Sequence, residues 1–193
     1  MSLRLPSLLA VSLVGAILLS ACGNGQSSSD PTASAAVFNE ADVAFTKAMI
    51  PHHEQAIEMA TIALDPAVGA GQEVINLATR IQSAQQPEID LMASWLVAWG
   101  EKPHDMGHMG HTADMEGMQG MMSADDMAAM SGMSGPAFDA RWSEMMILHH
   151  KGAMAMAEVV EASGQNADVA LLADEIIAAQ QAEIVEMRAL LGQ

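Results

Sequence analysis

The chain carries one block twice, and that repetition limits its fold more than any other feature. Residues 42–53, Asp-Val-Ala-Phe-Thr-Lys-Ala-Met-Ile-Pro-His-His, match residues 139–150, Asp-Ala-Arg-Trp-Ser-Glu-Met-Met-Ile-Leu-His-His, at an offset of 97. The match continues through Ala56/Ala153, Met59/Met156 and Ala60/Ala157. A second block, Leu77, Ile81, Ala84-Gln85-Gln86, Glu88-Ile89 and Met92, recurs as Leu172, Ile176, Ala179-Gln180-Gln181, Glu183-Ile184 and Met187 at an offset of 95. Each half, about residues 38–99 and 136–191, therefore holds two segments in the same order.

The period of the apolar residues makes those segments helical. Phe45, Met49, His52, Ala56, Met59 and Ala63 follow a 4-3-4-3-4 spacing, and Trp142, Met146, His149, Ala153, Met156 and Val160 repeat it. Ile81, Gln85, Glu88, Met92, Trp95 and Trp99 do the same, as do Ile176, Gln180, Glu183, Met187 and Leu190. Asn39 with Asp42 suits a helix start, Phe38 can pack on Val43, Pro136 suits a first turn, and Gly100 and Gly164 suit positions just past a helix end. The reading is four helices near 40–64, 70–99, 136–163 and 167–191, with kinks at Pro51 and Pro87. Two helical hairpins that each leave an apolar face uncovered dock into an all-α four-helix bundle. A pseudo-twofold axis would relate the first helix to the third and the second to the fourth.

In that arrangement the middle of every helix is polar. His52/His53, Gln85/Gln86, His149/His150 and Gln180/Gln181 all fall near mid-helix, where buried polar groups cost free energy unless something satisfies them. Met49 lies three residues before His52 and four before His53; Met146 stands likewise before His149 and His150, and Met145 precedes His149 by four. These spacings put thioether and imidazole on one helix face. Such a set suits a soft metal ion, with Gln85, Glu88, Gln180 and Glu183 as outer partners that orient the imidazoles. A hydrogen-bonded polar network without metal would use the same residues.

The connection between the halves adds a second candidate site. Residues 101–135 contain His104, Met106, His108, Met109 and His111, and hold nine of the 18 methionines and three of the seven histidines. A long connection in a compact domain is normally functional or disordered. Thioether and imidazole without thiolate favour Cu(I), and silver for the same reason, whereas a hard cation would want carboxylates. Ser123 and Asp126 can start a short helix near 124–130.

The N-terminus reads as an address. Arg4, the apolar run 8–19 and the sequence Leu19-Ser20-Ala21-Cys22 resemble a bacterial lipoprotein signal. That resemblance implies cleavage after residue 21 and lipidation of Cys22, with residues 22–37, rich in Ser and Gly, as a flexible tether to a domain over 38–193. Cys22 is the only cysteine, so thiolate ligands and disulfides are excluded from the domain. With 7 Lys+Arg against 24 Asp+Glu, a formal charge of −17 makes nucleic acid an unsuitable partner.

The paired blocks Met-Ile-Pro-His-His and Met-Ile-Leu-His-His, each followed by Ala-Gln-Gln-x-Glu-Ile, resemble the domain of unknown function 305, a family of secreted bacterial proteins. The resemblance covers about residues 38–191. It implies a ferritin-like bundle and, for some members, periplasmic copper binding and copper resistance through Met and His. Carried onto this chain, the matching positions are Met49, His52, His53, Met146, His149 and His150. The expected function is extracytoplasmic binding, buffering or sequestration of copper, with no catalysis and an unidentified protein recipient. Two other classes compete. A di-iron carboxylate oxidoreductase would need Glu-x-x-His on two helices, where this chain has Met49 and Met146. A metal-free interaction module would need an exposed apolar patch. No nucleophilic serine motif or free domain cysteine suggests a hydrolase.

Overall fold

A computed structural model describes residues 37–102 and 118–193. Cys22 and its signal, the tether up to residue 36, and His104, Met106, His108, Met109 and His111 lie outside the described residues. Five helices run in order: α1 Glu40–Ala63, α2 Gln72–Ala98, α3 Ala124–Ser131, α4 Gly135–Ser163 and α5 Ala167–Leu190. The long four form the bundle: α1 packs on α2, α4 on α5, and the two hairpins meet through α1 and α4. The short α3 lies against α4.

Local signals account for the ends. Asn39 accepts from the amides of Ala41 and Asp42 while Asp42 accepts from the Asn39 amide, which starts α1. Ser123 accepts from the Asp126 amide and starts α3. At the end of α2, Gly100 adopts φ +74°, and its amide and that of Glu101 bond the carbonyls of Val97 and Leu96. A residue with a Cβ would resist that left-handed turn. Gly164 departs from expectation. It ends α4 in extended backbone at φ −72°, because the Asp42 carboxylate occupies the space beside it, 2.5 Å from where a Cβ would stand. Phe38 stacks on Trp99 with ring centroids 4.7 Å apart. Helices α1 and α2 both continue through their prolines.

Asp42 and Asp139, equivalent in the repeat, tie each hairpin to the other. Asp42, fully buried, accepts from the amides of Gln165 and Asn166 at the α4–α5 turn. Asp139 accepts from the Gly71 amide at the α1–α2 turn, at 3.0 and 3.1 Å. A carboxylate accepting backbone amides at a helix start satisfies donors that would otherwise be orphaned.

The apolar interior forms two clusters. One joins Ala56, Met59, Leu77, Ile81, Phe138, Trp142, Met145, Met146, Ile184 and Met187; Met127 and Met130 of α3 bury against it. The other joins Phe45, Met49, Ile89, Met92, Leu96, Ala153, Val160, Leu172 and Ile176. Between them, at mid-bundle, lie the buried polar residues His52, His53, Gln85, His149, His150 and Gln180.

Candidate metal centre

All four mid-helix histidines are buried, none more than 1% exposed. His52 of α1 and His149 of α4 meet across the hairpin interface, with ring centroids 3.8 Å apart and planes tilted by 37°. Their partners sit in matched dyads within each hairpin. His53 Nε2 lies 2.6 Å from Glu88 Oε2, and His150 Nε2 lies 2.6 Å from Glu183 Oε2. A carboxylate only accepts, so Nε2 carries a proton in both dyads, and in the neutral ring Nδ1 keeps a lone pair.

That lone pair has no protein partner. His53 Nδ1, His150 Nδ1, His52 Nε2 and both ring nitrogens of His149 are buried without a hydrogen bond. Neither Gln85 nor Gln180 meets them, since both side-chain oxygens also lack a partner. Of the four residues expected to orient imidazoles, the two glutamates each contact one and the two glutamine oxygens do not. A carboxylate that fixes one nitrogen of an imidazole and leaves the other bare is the arrangement that orients a metal-binding histidine.

Burial also fixes the charge of the central pair. His52 is pushed down from 6.5 to about 3, first by desolvation and then by the neighbouring His53 and His150, against a hydrogen bond with the Gln119 backbone. His149 is held well below 6.5 by its complete burial and by His52, His150 and His53. The nearby His52 backbone works weakly the other way without making a full hydrogen bond. Two imidazolium rings could not share this contact in a low-dielectric interior. Both rings are therefore neutral, the state that binds metal, well below their ordinary pKa.

The methionines border this layer from both sides. Met49 and Met146 are completely buried and Met145 is 1% exposed. Met49 belongs to one apolar cluster, Met145 and Met146 to the other. Among the described residues no three His, Cys, Asp or Glu side chains converge to hold an ion. A cation here would combine imidazole with thioether, the donor set of a soft ion. Met49 and Met146 stand where a di-iron carboxylate centre would need glutamate.

Several contacts around the layer have no counterpart in the sequence reading. Gln55 of α1 donates to the Met122 carbonyl at 2.9 Å and accepts from the Met122 amide at 2.7 Å. On α4, Gly152 lies against Gln119 and Gly120. The signal was present in the repeat: Gln55 and Gly152 are equivalent positions that differ in kind.

The architecture is an all-α bundle of two repeated helical hairpins closed around a buried histidine layer. The chain belongs to the DUF305 family: the sequence model of the domain of unknown function 305 matches residues 42–191. Solved structures share the fold. A DUF305 protein of Streptomyces coelicolor, described as secreted, is 28% identical with a TM-score of 0.69, over 79% of this chain and 92% of that one. A DUF305 fragment from Deinococcus radiodurans is 28% identical with a TM-score of 0.70, over 80% of this chain and 97% of its own. CopM in its Cu(II)-bound form is 31% identical with a TM-score of 0.64, over 77% and 93%. CopM structures with Cu(I) and with silver match as well. No curated protein matches the chain in sequence. Among the described residues no helix is long and apolar enough to cross a membrane.

Proposed function

We propose that this protein binds copper as Cu(I), and silver in its place, outside the cytoplasm, and buffers or sequesters the ion rather than turning over a substrate. The observation that carries the reading is the set of five buried, unpartnered imidazole nitrogens bordered by buried methionines. Left empty, such groups are a standing cost; a bound ion offsets it. The likeness to CopM, solved with Cu(I), Cu(II) and silver, supports metal binding, and the secreted relative supports an extracytoplasmic place. His52, His53, His149 and His150 with Met49, Met145 and Met146 form the bundle site, and Glu88 and Glu183 orient the imidazoles. His104, Met106, His108, Met109 and His111 form a collecting site in the connection. Lipidated Cys22 holds the domain to the membrane, and a net charge of −17 concentrates cations without choosing among them.

Titration of the full chain with Cu(I) against a competing chromophore tests the reading. The paired change His52→Ala and His149→Ala should remove the tightest bound ion, while deletion of residues 103–117 should remove weaker ones. Full copper binding by the chain that lacks both histidines would refute the bundle site. Metal analysis separates the classes: two irons per chain would support the oxidoreductase.

A further inference from the structure

The segment Gln119–Met122 crosses both central helices one turn beyond the histidines. We infer that this segment is a strap that closes the histidine layer and controls exchange of the bound ion, and that Gln55 and Gly152 are its two positioning residues. The inference rests on the proposed metal site for the identity of what passes.

The repeat gives the argument its force. Gln55 stands three residues after His52, and Gly152 three after His149, so each shares a helix face with a histidine of the central pair. In one half that position is a long amide side chain, which grips the Met122 backbone through two hydrogen bonds at 2.7 and 2.9 Å. In the other half it is glycine. A Cβ there would lie 2.0 Å from the Gln119 carbonyl oxygen and 2.7 Å from Gly120 Cα, so no other residue admits the strap. Gly120 is matched to it: its φ is +86°, and a Cβ on it would lie 2.8 Å from Gly152 Cα and 2.9 Å from the carbonyl oxygens of Leu148 and His149. The strap is thus fastened to α1 by a side chain and to α4 by backbone contact.

Its two ends are held unequally. Beyond Met122 the chain enters α3, whose Met127 and Met130 are buried, so that end is fixed. Met118 and Met121 are only half-buried and Gln119 is exposed. Release of Gln55 from Met122 would let the strap lift while α3 stays docked, and would uncover His52 without unfolding a helix. Local opening of a segment with few buried contacts costs less than global unfolding.

The test uses the full chain and two readouts. Acylation of neutral histidine by diethyl pyrocarbonate, mapped by mass spectrometry, reports exposure of His52 without any metal. Exchange of bound Ag(I) against a thioether competitor reports passage of the ion. Gln55→Ala and Gly152→Ala should each raise both rates at least about tenfold, with helical circular dichroism unchanged, while Gln72→Ala, exposed near the start of α2, should change neither. Should Gly152→Ala fail to fold, Gln55→Ala decides alone, because its side chain is half-exposed and its partners are in the strap. Unchanged acylation in a folded Gln55→Ala protein whose Met122 amide exchanges faster would overturn the closure. Faster acylation with unchanged Ag(I) exchange would overturn its control of the ion. Strap-dependent acylation in a chain that takes up no silver would support the closure and refute the metal reading, so the two failures are separable.

Discussion

The two halves of the bundle agree at some positions and part at others, and the division follows what each position touches. The polar contacts of the shared interior are paired: the dyads His53–Glu88 and His150–Glu183 have the same 2.6 Å contact, and Asp42 and Asp139 each fasten the opposite hairpin's turn. Against the connecting segment the halves part, Gln55 answering Gly152. The apolar packing also differs, for Phe45 answers Trp142, whose indole Nε1 donates to the Met59 carbonyl at 3.0 Å. Symmetry is kept in the polar contacts and lost in the packing and beside the connection.

The largest asymmetry should lie in the core. Trp142→Ala should destabilise the protein by about 3–5 kcal/mol, through the cavity and the lost indole bond to the Met59 carbonyl, measured by urea unfolding. Phe45→Ala, lacking the hydrogen bond, should cost less; equal costs would make the indole bond immaterial. The clamps come next. Asp42 accepts from Asn39, Gln165 and Asn166, whereas Asp139 accepts from Gly71. Asp42→Ala should therefore cost roughly 3 kcal/mol and Asp139→Ala about half that, since one bond to a charged group contributes about 1.5–3 kcal/mol and several bonds to the same carboxylate do not add in full. A reversed order in thermal melts would break the account.

The dyads should show symmetry instead. Glu88→Gln and Glu183→Gln should each weaken Cu(I) binding by about ten- to a hundredfold, the usual cost of losing a partner that orients a ligand. If only one of the two matters in competition titrations, the halves do not share the site equally. The effect of pH is the most gradual. The folded protein keeps His52 neutral down to about 3 and His149 neutral well below 6.5, while the unfolded chain protonates both near 6.5. Between those limits the unfolded state binds more protons, so the stability of the metal-free protein falls as acid is added. The slope is about 1.4 kcal/mol per pH unit for each histidine. Melting temperatures from pH 7 to 4 should show it, and the double change His52→Gln, His149→Gln should flatten it.

Exposed histidines would make metal affinity fall near pH 6.5. Burial moves the loss due to His52 and His149 to lower pH, because burial is set by four helices together and not by a local pattern.

The four long helices were legible because apolar spacing, caps and the repeat all pointed the same way. Their observed ends fall within two residues of the expected ones. The glutamates' contact with histidine was legible for a similar reason: Glu88 and Glu183 share a face with the core stripe. Gln85 and Gln180 share that face too, yet their oxygens meet no imidazole, because a stripe fixes direction but not reach. Gly164 misled by type. Glycine after a helix usually signals a left-handed turn, but here it makes room for Asp42, a residue more than a hundred positions away. The strap was invisible for the same cause, since Gln119 and Gly120 carry no periodicity and acquire meaning only against α4.

The exchanged clamps have a consequence for how the bundle comes apart. Each hairpin has a turn whose free amides are satisfied by a carboxylate of the other. Pulling the hairpins apart would strip both turns at once, so neither half can leave the other without losing the start of one of its own helices.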